Sequence, residues 1–114
     1  MSENKTSTGL TENVAGLLCY LLGFITGIIF LIIEKDSKVV KFHAWQSTIT
    51  FGAIFVVQII LWILAIIFWP FWIIYYIIGI IAFILWIIFM VKAYQGQMWK
   101  VPIAGNIAAK QAGV

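Results

Sequence analysis

The chain has 114 residues, of which 64% are hydrophobic and 10% charged, and its mean hydropathy is +1.10. This composition lies far outside the soluble range and predicts a membrane protein. The single Cys19 excludes an internal disulfide, and four acidic residues with one histidine are too few for a soluble active site, so we expect no enzyme activity and no catalytic, cofactor or metal site. The net charge of +3 comes from seven scattered lysines, which suit orientation in a bilayer better than nucleic-acid binding.

Residues 1–13 predict a flexible polar tail, because they contain too little apolar surface to offset the entropy of ordering them. Thr11 can cap a helix that begins near Val14. Residues 14–33 carry no charge, and twenty residues at about 1.5 Å each span roughly the 30 Å hydrocarbon core. This segment predicts the first transmembrane helix. A cleaved signal peptide is the alternative, but its apolar stretch would be only about 7–15 residues long, and no Ala-x-Ala site follows.

The charged segment 34–41 predicts a loop in water, since burying its ions would be costly. Residues 42–91 carry no full charge and would measure about 75 Å as one helix, so two spans are needed. Pro70 places the break, which gives predicted spans at 43–68 and 71–91. An aromatic belt surrounds this break: Trp69, Trp72, Tyr75 and Tyr76. A proline-kinked helix or a re-entrant hairpin is the alternative.

Residues 92–114 predict an interfacial tail, in which Pro102 begins a short helix over 103–111 that is too short to span. Three spans put the two termini on opposite sides. Lysines are concentrated in the first loop and the tail, so the positive-inside rule predicts a multi-pass cell-membrane protein with its N-terminus outside and its C-terminus cytoplasmic. The predicted fold is an all-α membrane protein with three transmembrane helices and a short C-terminal interfacial helix.

Small residues recur along the first predicted helix at Gly16, Cys19, Gly23 and Gly27, and the last two glycines form a GxxxG motif. Such a stripe lets another helix approach closely, so we expect the glycines to be helix-packing residues. The spacing leaves open whether the partner is a helix of the same chain or of a second copy.

The second predicted helix opens with the densest uncharged polar stretch, which contains Gln46. His43, Ser47 and Thr50 share one helical face, and polar groups at membrane depth need partners, so this face should point into the bundle. His43 could relay protons or could anchor the helix by hydrogen bonding to the first loop. The anchor is favoured, because a relay usually includes an acidic residue within the membrane. Gln58 lies deeper and is expected to bridge two helices.

Two blocks carry a family resemblance. The first extends from Thr11 through Gly27 to the Phe-His-Ala-Trp-Gln-Ser motif ending at Ser47, and the second extends from Lys92 to Gly105 and contains an Ala-Tyr-Gln-Gly motif. Together they resemble a widespread family of small uncharacterised prokaryotic membrane proteins over about residues 10–110. That family is grouped as similar to the twenty-kilodalton Tic component of chloroplast protein import, a proposed channel subunit. The resemblance implies a polytopic helical membrane protein and a role in translocation.

The expected function is a helix-packing scaffold or accessory subunit, because the glycine stripe and the polar face serve contacts between helices. Its partners would be the lipid bilayer and either further copies of the chain or another membrane protein. The alternative is a homo-oligomeric pore or a Tic-like subunit of a protein-translocation channel.

Overall fold

The computed structural model describes residues 6–7 and 9–114, and within them it contains five helices. These are α1 (Glu12–Leu21), α2 (Phe24–Ile33), α3 (Lys38–Ile67), α4 (Phe71–Tyr94) and α5 (Ala104–Ala112). The all-α prediction is confirmed. Helices α3 and α4 are long and apolar enough to cross a membrane.

Helices α3 and α4 form an antiparallel pair that breaks where proline predicts. Helix α3 ends at Ile67 and α4 begins at Phe71, with Pro70 as the residue before the first turn. Helix α3 begins five residues before the predicted span 43–68, because the Ser37 hydroxyl accepts the Val40 N–H at 3.2 Å and caps it. The predicted start was set by the last lysine of the charged segment. A helix can extend past such lysines, because their apolar stems lie along the helix while the ammonium groups stay in water.

The predicted continuous helix over 14–33 is wrong. The segment consists of two ten-residue helices, α1 and α2, separated at Leu22 and Gly23. Gly23 has φ +64° and ψ −135°, a conformation that L side chains rarely adopt. At about 1.5 Å per residue each helix is roughly 15 Å long, half the thickness of a hydrocarbon core, so three full-length transmembrane helices are not supported.

Helices α1 and α2 form a hairpin whose two open ends lie together. Near the start of α1, the Asn13 side-chain amide donates to the Tyr94 carbonyl at the end of α4, 3.0 Å away. At the closed end of the hairpin, Gly23 lies beside Phe51 of α3. Helix α2 then returns, so that the Ser37 hydroxyl, just before α3, donates to the Glu12 carboxylate at the start of α1. The chain therefore enters and leaves this hairpin at the same end of the molecule.

The predicted placement of the two termini on opposite sides of the membrane depends on three full spans, which the structure does not support, and the side on which each terminus lies stays a prediction. The Ser7 N–H donates to the Glu34 carboxylate at 2.8 Å, and the Ser7 hydroxyl accepts the Lys35 N–H at 2.8 Å. The described N-terminal residues thus share one end with the first loop and the C-terminal segment, because the hairpin reverses the chain. The rest of the predicted flexible tail, residues 1–5 and 8, lies outside the described residues.

Helix α5 packs on the first half of α3 through small residues. Its buried face consists of Gly105, Ala108, Ala109 and Ala112. Phe42 is fully buried in the same cluster. Ile103 and Ile107 are exposed on the other side of the helix.

The molecule measures 51 × 22 × 21 Å and has two unequal parts. The wide end comprises α1, α2, α5, residues 38–55 of α3 and residues 86–94 of α4. The arm comprises residues 56–67 of α3 and 71–85 of α4. Most fully buried side chains lie in the wide end, whereas the arm exposes large apolar side chains: Ile66, Ile67, Ile80 and Phe83.

Candidate functional site: the polar seam of the hairpin

The closed end of the hairpin is a backbone turn whose polar groups are paired by side chains. The Ser47 hydroxyl of α3 donates to the Gly23 carbonyl at 2.8 Å. The Thr26 hydroxyl accepts the Leu22 N–H at 3.2 Å and lies 3.2 Å from the Cys19 carbonyl, to which it can donate. Backbone groups that leave a helix within a bilayer cannot be solvated, so a turn at that depth requires such partners.

Trp86 of α4 completes the turn from the other side. Its indole N–H donates to the Tyr20 carbonyl at 2.7 Å and lies 3.3 Å from the Leu21 carbonyl. These carbonyls belong to the last turn of α1, where the Tyr20 carbonyl also accepts the Gly23 N–H at 3.0 Å. The turn is therefore joined to α3 by a serine and to α4 by a tryptophan.

Below the turn, Gln46 joins three parts of the chain. Its Oε1 accepts the Val101 N–H at 3.1 Å, and its Nε2 donates to the Trp99 carbonyl at 2.8 Å and to the Tyr20 hydroxyl at 3.0 Å. Because one backbone partner is a donor and the other an acceptor, only this orientation of the amide satisfies both. Gln46 is fully buried and ties the segment before α5 to the hairpin.

The orientation of Gln46 determines the role of His43. Since Gln46 donates to the Tyr20 oxygen, the Tyr20 hydroxyl proton is free to donate to His43 Nδ1, 2.8 Å away. This arrangement fits a neutral imidazole with its proton on Nε2. His43 therefore links α3 to α1. The structure shows this hydrogen bond to Tyr20 of α1, whereas the prediction placed the partner of His43 in the first loop.

The three predicted packing glycines occupy different environments. A Cβ on Gly16 would lie 2.9 Å from His43 Cδ2, and one on Gly27 would lie 2.8 Å from Thr48 Oγ1, so both glycines permit close contact with α3. Gly23 forms the turn instead. The stripe is therefore divided between two helices of opposite direction, and Gly16 and Gly27 both pack within the chain.

The polar residues of α3 likewise separate into groups. His43, Gln46 and Ser47 contact the hairpin, and together with Tyr20 and Trp86 they form the polar seam. Thr50 is buried, and its hydroxyl has no hydrogen-bond partner among the described residues. Gln58 lies in the arm, where its Nε2 donates to the Tyr75 carbonyl of α4 at 3.1 Å, the geometry that a bridge between two helices needs.

At the open end of the hairpin, the carboxylates of Glu34 and Glu12 accept hydrogen bonds from neighbouring segments. One oxygen of the buried Glu34 accepts the backbone N–H groups of Ser7, Asp36 and Ser37 at 2.8, 3.0 and 3.0 Å. Burial would raise the pKa of Glu34, but these N–H donors hold it below the ordinary value of 4.5. The Ser37 hydroxyl donates to the Glu12 carboxylate. Within the described ranges, no group of three or more His, Cys, Asp or Glu side chains could hold a metal ion.

Sequence reasoning missed Tyr20, Thr26 and Trp86, because each was assigned to the interior of a continuous span. Trp86 carried a usable signal. Tryptophan prefers the membrane interface, so one placed well inside a predicted span indicates an internal acceptor for its N–H.

The long apolar pair and the buried polar seam define a small helical protein of the membrane class. The chain belongs to the family described as the magnetosome magnetite crystal formation protein family, whose model matches residues 3–108. A UPF0132 membrane protein of Methanocaldococcus jannaschii is 53% identical over 110 residues, covering 91% of this chain and 91% of the relative. A UPF0132 membrane protein of Archaeoglobus fulgidus is 48% identical over 104 residues, covering 91% of this chain and 98% of the relative.

A second Methanocaldococcus jannaschii relative of the same name is 43% identical over 102 residues, covering 90% of this chain and 71% of its own. No solved structure matches the chain. These similarities confirm the predicted family of prokaryotic membrane proteins of unknown function. They provide no evidence of similarity to the Tic component, and that part of the resemblance stays a prediction.

Proposed function

We propose that the chain is a multi-pass cell-membrane protein in which α3 and α4 cross the bilayer while the hairpin enters only one leaflet. Two observations support this arrangement. Helices α1 and α2 are each about half as long as the hydrocarbon core is thick. The turn between them has side-chain partners for its backbone groups, which is the condition for a break at membrane depth.

The charges support one orientation for this arrangement. The lysines of the described residues lie in the wide end or in the loops attached to it: Lys35, Lys38, Lys41, Lys92, Lys100 and Lys110. Lysine-rich short loops and tails stay on the cytoplasmic side. The wide end, including the described N-terminal residues and the C-terminal segment, therefore faces the cytoplasm.

Within the membrane, the chain acts as a structural scaffold or accessory subunit and not as an enzyme. The observation that carries this proposal is the use of the deep polar groups: Gln46, Ser47 and Trp86 bond to the chain's own backbone. What the arm presents outward is apolar, with Ile67 79% and Ile80 61% exposed. Such a surface contacts lipid and the helices of other membrane proteins.

Cross-linking from the arm tests the scaffold role. A photoactivatable cross-linker attached to Ile66→Cys, in a Cys19→Ala background, should give one discrete adduct in native membranes, because Ile66 is 65% exposed. The matched control is Ala65→Cys, at the adjacent residue, which is 3% exposed and should give no adduct.

The kinds of adduct distinguish the alternatives. A discrete adduct with another membrane protein would support the accessory role. A self-adduct accompanied by ion flux in liposomes would instead indicate the homo-oligomeric pore or Tic-like translocation subunit. Diffuse lipid adducts alone, at every exposed arm position, would overturn the scaffold proposal.

A further inference from the structure

The two parts of the molecule occupy very different areas across the membrane. Four helical segments lie side by side at the wide end, from α1, α2, α3 and α4, and α5 packs on the outside of α3. The arm contains only two segments. Because a helix with its side chains is about 10 Å across, the wide end displaces roughly twice the lipid area that the arm displaces.

Helix α5 increases this inequality at the interface. Its small residues face Phe42, so its other side is available to lipid. Ile103 is 76% exposed and Ile107 is 43% exposed, whereas Lys110 lies on the exposed polar side. An interfacial helix of this type adds area among the headgroups and acyl-chain boundary of one leaflet only.

We propose that this protein recognises membrane curvature: its partner is a lipid surface that is convex on the side of the wide end. A leaflet that must hold extra area is relieved where it bends outward, so the unequal cross-section favours small vesicles and buds. This inference rests on the half-depth hairpin of the proposed arrangement. It adds a preference for a particular membrane shape, which the scaffold role does not require.

Lipid covers the part of the arm that no partner helix contacts. Exposed apolar side chains occur on both of its helices, with Ile67 79% and Phe83 58% exposed, so a single flat partner face would leave part of the surface uncovered. Fluid acyl chains can surround both helices. If a second copy covered the arm instead, the cross-section would become more even and the curvature preference would disappear.

Reconstitution into sized vesicles tests the proposal. The full chain with Cys19→Ala and Lys110→Cys carries an environment-sensitive dye, and a separate sample carries it at Ser7→Cys. Each is inserted into phosphatidylcholine vesicles with one quarter phosphatidylglycerol, at diameters of about 40, 100 and 400 nm, because the binding of interfacial helices depends on curvature. An impermeant quencher then reports the fraction of wide ends facing outward, and single-vesicle fluorescence reports protein density.

The expected result is that outward orientation and density per lipid both rise at least about twofold from the largest to the smallest vesicles. Equal values at all diameters, with the Ser7 and Lys110 positions on the same side, would overturn the curvature proposal and leave the proposed arrangement intact. The two positions on opposite sides would overturn the arrangement itself, and the curvature proposal with it.

A glycine pair supplies matched variants for this experiment. Gly23→Ala strains the hairpin turn, because φ is +64°, whereas Gly52→Ala adds a methyl group with nothing within 4 Å. Gly52→Ala should retain the diameter dependence, and Gly23→Ala should weaken it by straightening or loosening the hairpin. Two results would contradict the unequal cross-section as the cause of the diameter dependence. One is loss of that dependence in Gly52→Ala, and the other is its full retention in Gly23→Ala with a displaced hairpin.

Discussion

Replacing Gln46 with alanine should destabilise the wide end more than any other single amide truncation in α3. The variant loses three hydrogen bonds, to the Tyr20 hydroxyl, the Trp99 carbonyl and the Val101 N–H. At about 0.6 kcal/mol for an average polar contact between membrane helices, these amount to roughly 2 kcal/mol. The Val101 N–H is buried and is left without an acceptor, which costs about 1–3 kcal/mol more. We therefore expect a loss of roughly 3–5 kcal/mol.

Gln58→Ala is the matched control, because it makes the same substitution in the same helix. Gln58 loses one hydrogen bond, to the Tyr75 carbonyl, and its Oε1 has no partner to lose. The expected cost is about 0.6 kcal/mol. Its position in the arm leaves the contact with the C-terminal segment intact.

Two measurements check this prediction in lipid bicelles. Reversible unfolding by steric trapping gives the free energy of unfolding of each variant. Hydrogen exchange followed by mass spectrometry gives the protection of the peptide that contains Val101, which should fall in Gln46→Ala and stay unchanged in Gln58→Ala. Equal free energies for the two variants, or an unchanged Val101 amide in Gln46→Ala, would refute the tethering role that we assign to Gln46.

Three further outcomes follow from the same contacts. Gly16→Ala should cost about 1–3 kcal/mol by overpacking against His43, whose Cδ2 would lie 2.9 Å from the new methyl group, whereas Gly52→Ala should not destabilise; equal melting temperatures would contradict this packing. Trp86→Phe should cost about 0.5–1.5 kcal/mol, since it leaves the Tyr20 carbonyl without its indole donor, and a neutral effect in the unfolding assay would argue against the paired turn. The folded pKa of Glu34 lies below 4.5, so its stabilisation is complete above that pH and is lost as the pH falls through the folded value; melting temperature should drop in acid, and less so in Glu34→Gln.

The two long helices were predictable because their signals are strong and local. The segment 42–91 is too long for one span. Pro70 indicates where the helix breaks, because proline has no backbone N–H to donate. Helix α3 begins earlier than predicted, at the Ser37 cap, because lysine stems allow a helix to include charged residues near its end.

The hairpin was not predictable from hydropathy, because half-depth and full-depth segments have the same composition. Whether Gly23 continues a helix or reverses the chain depends on distant partners: Ser47 is 24 residues away and Trp86 is 66 residues from Tyr20. His43 and Gln46 have hydrogen-bond partners on α1 and before α5, and only the folded chain brings these segments together.

The most direct test of the account is the side of the membrane on which the chain's ends lie. Ser7→Cys and Lys110→Cys, each in a Cys19→Ala background, would be treated with an impermeant maleimide in intact cells and in inverted membrane vesicles. Because the hairpin returns the chain to its starting side, both positions should be protected in cells and labelled in inverted vesicles. Labelling of Ser7→Cys in intact cells, with Lys110→Cys still protected, would contradict the half-depth hairpin and favour three full spans.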